Sequence, residues 1–131
     1  MASSSRRGLE SHGDRGLAGV SRTLRRGDVV WVALHPTRGS EIRKTRPAVV
    51  ISNDSCNRYG SWVAVLPVTS NVSSLYPGEA RIEVAGKPAR VLGDQVRSVD
   101  KGRLRSRIGR LRQDELREVE DAVKITLGLW P

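Results

Sequence analysis

Three short runs of mostly β-branched residues between positions 26 and 71 constrain the fold more than any other feature of the chain. The runs span residues 29–34, 48–52 and 62–68, and each is bounded by Gly, Pro, Asn or Asp. Such unbroken apolar runs are typical of strands that are covered on both faces. Further strand candidates are residues 81–84, 89–92, 95–99 and 107–111.

The end of the chain has a different period. Leu116, Val119, Val123 and Leu127 follow one another at steps of three and four, which places them on one face of a helix that opens at Asp114. Seven strand candidates followed by one helix predict a mainly β fold. We expect a small, strongly bent barrel that is capped by the C-terminal helix.

Length and charge indicate one basic domain behind a basic leader. The 131 residues suffice for a single core, which we place in residues 26–131, whereas residues 1–25 lack an apolar period and are predicted to be disordered. The net charge is +9, and the first 26 residues contribute +4 of it through six arginines and two acidic residues. The remaining +5 lies on the domain, which favours a nucleic acid or an acidic protein as partner.

Other features make several classes of protein unlikely candidates for this chain. The single cysteine, Cys56, cannot form an internal disulfide, which indicates a reducing cytoplasm, and we expect no metal or other cofactor. No apolar run approaches the roughly 20 residues that span a bilayer, so we expect no membrane association. Phenylalanine is absent, which argues against an aromatic platform for stacking bases.

Three polar residues next to the first three strands could cleave a phosphodiester. Glu41 lies in a long polar connection, Arg46 precedes the second run, and Thr69 follows the third run. A carboxylate can take a proton, a guanidinium can neutralise a phosphate, and a hydroxyl can hydrogen-bond it. Taken alone, Arg46 could equally be a surface residue that covers apolar side chains, and Thr69 with Ser70 could satisfy local backbone groups.

Two further residues remain open between a chemical and a structural role. Asp94 follows Gly93, where it could be a second carboxylate of the site or only a turn former. His35 has no histidine partner within the predicted domain, which excludes catalysis by paired histidines and favours a structural or substrate-edge position.

The order and spacing of several motifs resemble the MazF, PemK and Kid family of toxin endoribonucleases from type II toxin–antitoxin modules. The resemblance covers about residues 25 to 130, and each motif is common alone whereas their combination is specific. The motifs are RGDV at 26–29, PTRGSE at 36–41, RPAVV at 46–50, ND at 53–54, NR at 57–58, VLPVTSN at 65–71, DQVRSVD at 94–100 and the closing helix.

This resemblance implies an SH3-like β-barrel with a C-terminal helix, a homodimer, and metal-independent, sequence-specific cleavage of single-stranded RNA. The expected ends are a 2′,3′-cyclic phosphate, or its 3′-phosphate product, and a 5′-hydroxyl. The resemblance also implies an antitoxin partner whose acidic, disordered tail blocks the RNA site. Arg46 and Thr69 match the catalytic pair of the family, and Glu41 matches a proposed base. The implied RNA-binding residues are Ser40, Arg43, Lys44, Thr45, Ser70, Asp94 and Gln95.

Departures from the family pattern leave open which residues act as general base and general acid. The Kid branch has a histidine where this chain has Ser40 and an arginine where it has Leu92, so that scheme does not transfer. Either Glu41 or Asp94 could be the base, and no general acid is assigned. Two other functions fit the same barrel: a toxin that binds and poisons DNA gyrase without cutting RNA, and a non-catalytic RNA-binding regulator.

Overall fold

The structure, a computed structural model, describes residues 24–33, 45–73 and 75–129. These residues form one antiparallel sheet of seven strands with two α-helices. In chain order the elements are β1 (Asp28–Val32), β2 (Arg46–Val50), α1 (Asp54–Tyr59), β3 (Trp62–Thr69), β4 (Glu79–Val84), β5 (Lys87–Leu92), β6 (Arg97–Asp100), β7 (Leu104–Arg110) and α2 (Gln113–Leu127).

The strands pair in the order β4, β5, β3, β2, β1 and β7, and β6 pairs with the first part of β3. Strand β3 is therefore the centre of the fold, since it contacts β2 on one side and both β5 and β6 on the other. The predicted mainly β fold with a C-terminal helix is confirmed, in the form of a half-barrel sheet.

Both faces of the sheet are buried, which explains the unbroken apolar runs. In β2, Ala48 and Val50 face one cluster whereas Val49 faces another, as expected from the alternation of side chains along a strand. We call the first cluster the strand core and the second, which includes α2, the helix core. The strand core contains Leu24, Val30, Val32, Ala48, Val50, Val63, Val65, Val99 and Leu104. The helix core contains Val29, Val49, Leu66, Val68, Ala80, Ile82, Ala89, Val91, Leu111, Val119 and Ala122.

Helix α2 is fixed to the sheet at its first turn. The carboxylate of Glu115 accepts the backbone N–H of Arg112 at 2.9 Å and that of Glu83 in β4 at 2.8 Å. Gly128 ends the helix in the left-handed conformation with a φ of 73°, which favours glycine. Leu127, which the apolar period assigns to the buried face, is exposed in the structure.

The structure corrects the predicted element list at two places. Helix α1 was not predicted, because six residues are too few to show an apolar period, and its start is marked by Asn53, whose side chain accepts the N–H of Cys56 at 2.8 Å. Gln95, which was expected to open a strand, belongs instead to the 3₁₀ turn Gly93–Gln95, and β6 starts at Arg97.

The predicted leader lies almost entirely outside the described residues. Leu24 and Arg25, its last two members, belong to the folded part of the chain. Leu24 packs in the strand core, and the N–H of Arg25 donates to the buried carboxylate of Asp28 at 2.9 Å. No helix in the described ranges is both long enough and apolar enough to cross a bilayer.

Candidate functional site

Arg46 is the first residue of β2 and lies opposite Val32, the last residue of β1. Pro47 follows it and favours the extended backbone that points this side chain away from the sheet plane. Arg46 is exposed, and its guanidinium makes no hydrogen bond or ion pair with any residue that the structure describes. Its donors are therefore available for an anion.

Thr69 is the last residue of β3, and the strand register brings it to Arg46. Ala48 pairs with Pro67, and continuing this antiparallel register by two residues sets Arg46 opposite Thr69. Side chains at alternate positions of a strand share a face, so Arg46 lies on the face of Ala48 and Val50, and Thr69 on that of Val65. Both residues lie on the face of the strand core, at the end where its apolar side chains give way to polar ones.

Local hydrogen bonds hold the segment after Thr69. Its hydroxyl oxygen accepts the N–H of Asn71 at 3.2 Å, and the amide oxygen of Asn71 accepts the N–H of Ser73 at 3.0 Å and its hydroxyl at 2.8 Å. The hydroxyl of Thr69 can still donate its own proton, because it serves these contacts only as an acceptor. Ser70 is exposed beside it.

The same face continues on the other side of Thr69 with two arginines that were not predicted. Thr69 pairs with Arg90 in β5, and Arg90 pairs with Arg81 in β4. Arg46, Thr69, Arg90 and Arg81 therefore form one line across four strands, which we call the arginine row. Alternation in both strands was an available signal, since Arg81 stands between buried apolar residues and so does Arg90, but their pairing with Thr69 depends on a register that the sequence does not show.

Arg90 and Arg81 differ in their surroundings. The side chain of Arg90 is only 13 % exposed and lies 3.6 Å from the carboxylate of Glu79, which also accepts the N–H of Tyr76 at 3.0 Å. Arg81 is exposed, and its Nη2 donates to the carbonyl oxygen of Val72 at 3.2 Å. The row thus has one guanidinium in an ion pair and two that face solvent.

The other predicted site residues are placed less closely or lie outside the description. Thr45 is exposed directly before β2. Asp94 and Gln95 are exposed in the turn after β5, where Asp94 follows Arg90 by four residues and its Cα is therefore at most about 13 Å from that of Arg90. Four predicted residues fall outside the described part of the chain: Ser40, Glu41, Arg43 and Lys44.

Two residues with shifted pKa values, Asp54 in α1 and Lys101 after β6, belong to other elements than those of the row. The N–H of Arg26 donates to Asp54 at 2.7 Å and lowers the pKa of that carboxyl, whereas burial lowers the pKa of Lys101. Within the described ranges no group of three or more His, Cys, Asp or Glu side chains could hold a metal ion. The row itself combines a neutral donor with neighbouring guanidinium groups, an arrangement that suits a phosphate.

The chain is similar to known proteins in both sequence and fold. Residues 25–127 match the family described as PemK-like, MazF-like toxin of type II toxin-antitoxin system. Endoribonuclease MazF9 of Mycobacterium tuberculosis is 40 % identical over 116 residues, which cover 82 % of this chain and 98 % of the relative. The crystal structure of MazF from Deinococcus radiodurans has a TM-score of 0.66 and 31 % identity, over 79 % of this chain and 96 % of that one. A mycobacterial endoribonuclease in complex with its cognate antitoxin shares the fold, with a TM-score of 0.69 and 22 % identity, over 82 % of this chain and 98 % of its own.

Proposed function

Because the chain belongs to the family of PemK-like, MazF-like toxins of type II toxin-antitoxin systems, we propose that it is a sequence-specific endoribonuclease that cuts single-stranded RNA in the cytoplasm. The observation that carries this proposal is the register that sets Arg46 opposite Thr69, on an exposed end of the sheet with further guanidinium groups beside them. A messenger RNA segment is the substrate we expect.

The proposed reaction uses protein groups and the ribose of the RNA. A carboxylate, Glu41 or Asp94, accepts the proton of the 2′-hydroxyl, and the 2′-oxygen attacks the adjacent phosphorus. The bond from phosphorus to the 5′-oxygen then breaks, which leaves a 2′,3′-cyclic phosphate and, after protonation, a 5′-hydroxyl. The donor of that last proton is not assigned, because a guanidinium holds its proton too strongly to be a good proton donor.

Arg46 and Thr69 stabilise the charge that develops on the phosphate. The guanidinium of Arg46 can form two parallel hydrogen bonds to phosphate oxygens, and the hydroxyl of Thr69 can donate a third. Both residues are strand ends, so the sheet fixes the backbone from which each side chain would reach the phosphate.

The basic domain also suits the expected partners. An antitoxin with an acidic, disordered tail would compete with RNA for the same positive surface.

We further propose a homodimer, supported by exposed apolar side chains at the end of α2 and in the segment before β4. These are Leu75, Tyr76, Ile125, Leu127 and Leu129, which we call the terminal patch. Its two parts are close together, since a Cβ added to Gly78 would lie 2.7 Å from Oγ1 of Thr126.

The test of the proposed activity is incubation of the purified protein with a long single-stranded RNA in EDTA, followed by mapping of the fragment ends. We expect cuts at a short sequence that leave 5′-hydroxyl ends. The Arg46→Ala variant should fold and lose cleavage by at least about 100-fold, the effect of removing one charge-stabilising donor. Arg117→Ala is the matched control, since Arg117 is exposed on α2 on the opposite face of the sheet.

The possible outcomes separate the three functions. Wild-type cleavage rates in Arg46→Ala would refute the role of Arg46. Intact RNA with every sequence tried would refute the nuclease, and assays of gyrase inhibition and of salt-sensitive RNA binding would then distinguish the gyrase-binding toxin from the RNA-binding regulator.

A further inference from the structure

We propose that Arg81 binds a backbone phosphate of the RNA next to the cleaved one, so that the RNA strand runs along the arginine row from β2 to β4. The inference rests on the proposed nuclease function. It adds a second phosphate contact and the path of the bound RNA strand across the sheet. It is carried by the strand register, the hydrogen bonding and the exposure of Arg81, which the catalytic proposal does not use.

The register gives the row a regular spacing. Neighbouring strands lie about 4.8 Å apart, so the backbone of Arg81 lies at most about 10 Å from that of Thr69, two strands away, and Arg46 belongs to the next strand beyond Thr69. Long arginine side chains can reach several ångströms further in either direction. Two exposed guanidinium groups at this separation can contact different phosphates of one extended strand, with Thr69 between them.

The side chain of Arg81 is held in place by one hydrogen bond, which leaves other N–H donors of its guanidinium for a ligand. Its Nη2 donates to the carbonyl of Val72, in the loop that follows Thr69, and this contact keeps the guanidinium beside the site. A guanidinium has five N–H donors, and the contact with Val72 is the side-chain hydrogen bond that the structure gives Arg81. Donors therefore remain for phosphate oxygens, and the exposed position allows an RNA strand to approach.

The charge pattern around Arg81 also favours an anion. Arg81 and Arg90 lie directly opposite each other on neighbouring strands, and like charges in such a pair repel. The carboxylate of Glu79 lies 3.6 Å from Arg90 and offsets part of this repulsion. A phosphate bound by Arg81 would offset more of it, since it adds negative charge on the exposed side of the pair.

RNA is favoured over an acidic peptide as the ligand of Arg81. The residue is in line with Arg46 and Thr69, the two residues proposed to hold the cleaved phosphate, and a continuous strand needs contacts on both sides of that point. The spacing along the row follows from the sheet itself, so it fits a ligand with regularly repeated charges.

The experiment compares Arg81→Ala and Arg81→Lys with wild type and with Arg117→Ala. Binding is measured with a 2′-O-methylated single-stranded RNA of mixed sequence, which lacks the attacking hydroxyl, at several salt concentrations. For Arg81→Ala we expect the slope of log K against log salt to fall by about 0.7, the value for one phosphate contact with a single strand. Arg81→Lys and Arg117→Ala should keep the wild-type slope, since the first retains the charge and the second removes one from the other face.

Cleavage kinetics provide the second measurement. With cleavable RNA, Arg81→Ala should raise KM about three- to tenfold and leave kcat within about twofold, because the lost contact serves the bound strand and the transition state equally. This pattern differs from that expected for Arg46→Ala, in which kcat itself falls.

Several results would overturn the inference. An unchanged salt slope in Arg81→Ala would do so, including the case in which the melting temperature and kcat fall, which would mean that Arg81 only holds the loop at Val72. Weaker binding of an acidic peptide with unchanged RNA binding would assign Arg81 to a protein partner instead. If wild type cuts no RNA, the proposed nuclease fails, and the binding slopes still decide whether Arg81 contacts a nucleic acid.

Discussion

At the scale of single residues, Arg46 and Thr69 have different tasks in the proposed reaction. The guanidinium of Arg46 contributes a positive charge and several N–H donors in a planar fork. The hydroxyl of Thr69 is neutral and contributes one hydrogen bond, while its oxygen accepts the N–H of Asn71. Removal of the Thr69 hydroxyl should therefore lower the cleavage rate less than removal of the Arg46 guanidinium.

We predict that Thr69→Val lowers kcat by about 10- to 100-fold, because valine keeps the shape of threonine and removes the donor to the phosphate. Thr69→Ser restores a hydroxyl and should recover most of the activity. Single-turnover cleavage measures the chemical step, and thermal unfolding checks that both variants fold. Equal rates for Thr69→Val and wild type would exclude the hydroxyl from the reaction.

A second residue-scale prediction concerns acid stability. The N–H of Arg26 donates to Asp54 and lowers the pKa of this carboxyl below its ordinary value of 3.8. A carboxyl whose pKa is lower in the folded state stabilises the protein above pH 3.8, and this contribution is lost as the pH falls through the folded-state pKa. Asp54→Asn should therefore show a shallower loss of unfolding free energy below about pH 4. Urea denaturation between about pH 5 and 2.5 provides the measurement, and parallel curves for the two proteins would contradict the prediction.

At the scale of elements, the packing of α2 against the sheet depends on a close approach at Gly93. The N–H of Gly93 donates to the carbonyl of Gly78 at 2.9 Å. A Cβ added at Gly93 would lie 2.4 Å from that carbonyl oxygen and 3.2 Å from Cβ of Ala122 in α2. No side chain fits there without movement of the backbone or the helix.

Gly93→Ala is accordingly expected to lower the free energy of unfolding by about 1–3 kcal/mol, the usual cost of overpacking a core. Gly109→Ala is the matched control, because Gly109 lies in β7 and a Cβ there would meet nothing within 4 Å. Its effect should stay within about 0.5 kcal/mol of zero. Urea denaturation of the three proteins measures both values, and equal midpoints for Gly93→Ala and wild type would show that the turn can move freely.

The sequence predicts strands and helices better than it predicts which strands pair with each other. Strands β2 and β3 could be predicted because β-branched residues on both faces make an unbroken apolar run, and α2 because Val119 recurs with other apolar residues at helical spacing. Helix α1 could not, since its start depends on the single cap at Asn53. Arg46 and Thr69 were predicted from their places beside the apolar runs and from a family resemblance. Arg81 and Arg90 required the pairing of β3, β5 and β4, which is set by contacts between distant parts of the chain.

At the scale of the whole molecule, the sheet separates two kinds of surface. One face carries the helix core and α2, and the end of the other face carries the arginine row. The terminal patch lies between them, since Tyr76 donates its N–H to Glu79, and Glu79 is paired with Arg90 of the row. A second copy of the chain bound at this patch would therefore place its own surface next to the arginine row of the first copy.

The terminal patch leads to a prediction about assembly. Ile125 and Leu127 are 44 % and 53 % exposed at the end of a helix in which Val119 and Ala122 are buried, and such exposed apolar groups favour association. Ile125→Glu should weaken the homodimer by at least about tenfold, because it places a charge in a surface that must lose water on association. Sedimentation at several protein concentrations measures the dissociation constant. Tyr59→Glu is the control, since Tyr59 is an exposed large side chain on a different helix, α1. If Tyr59→Glu dissociates the dimer and Ile125→Glu does not, the two copies meet through α1 and the first arginine row stays open at the terminal patch.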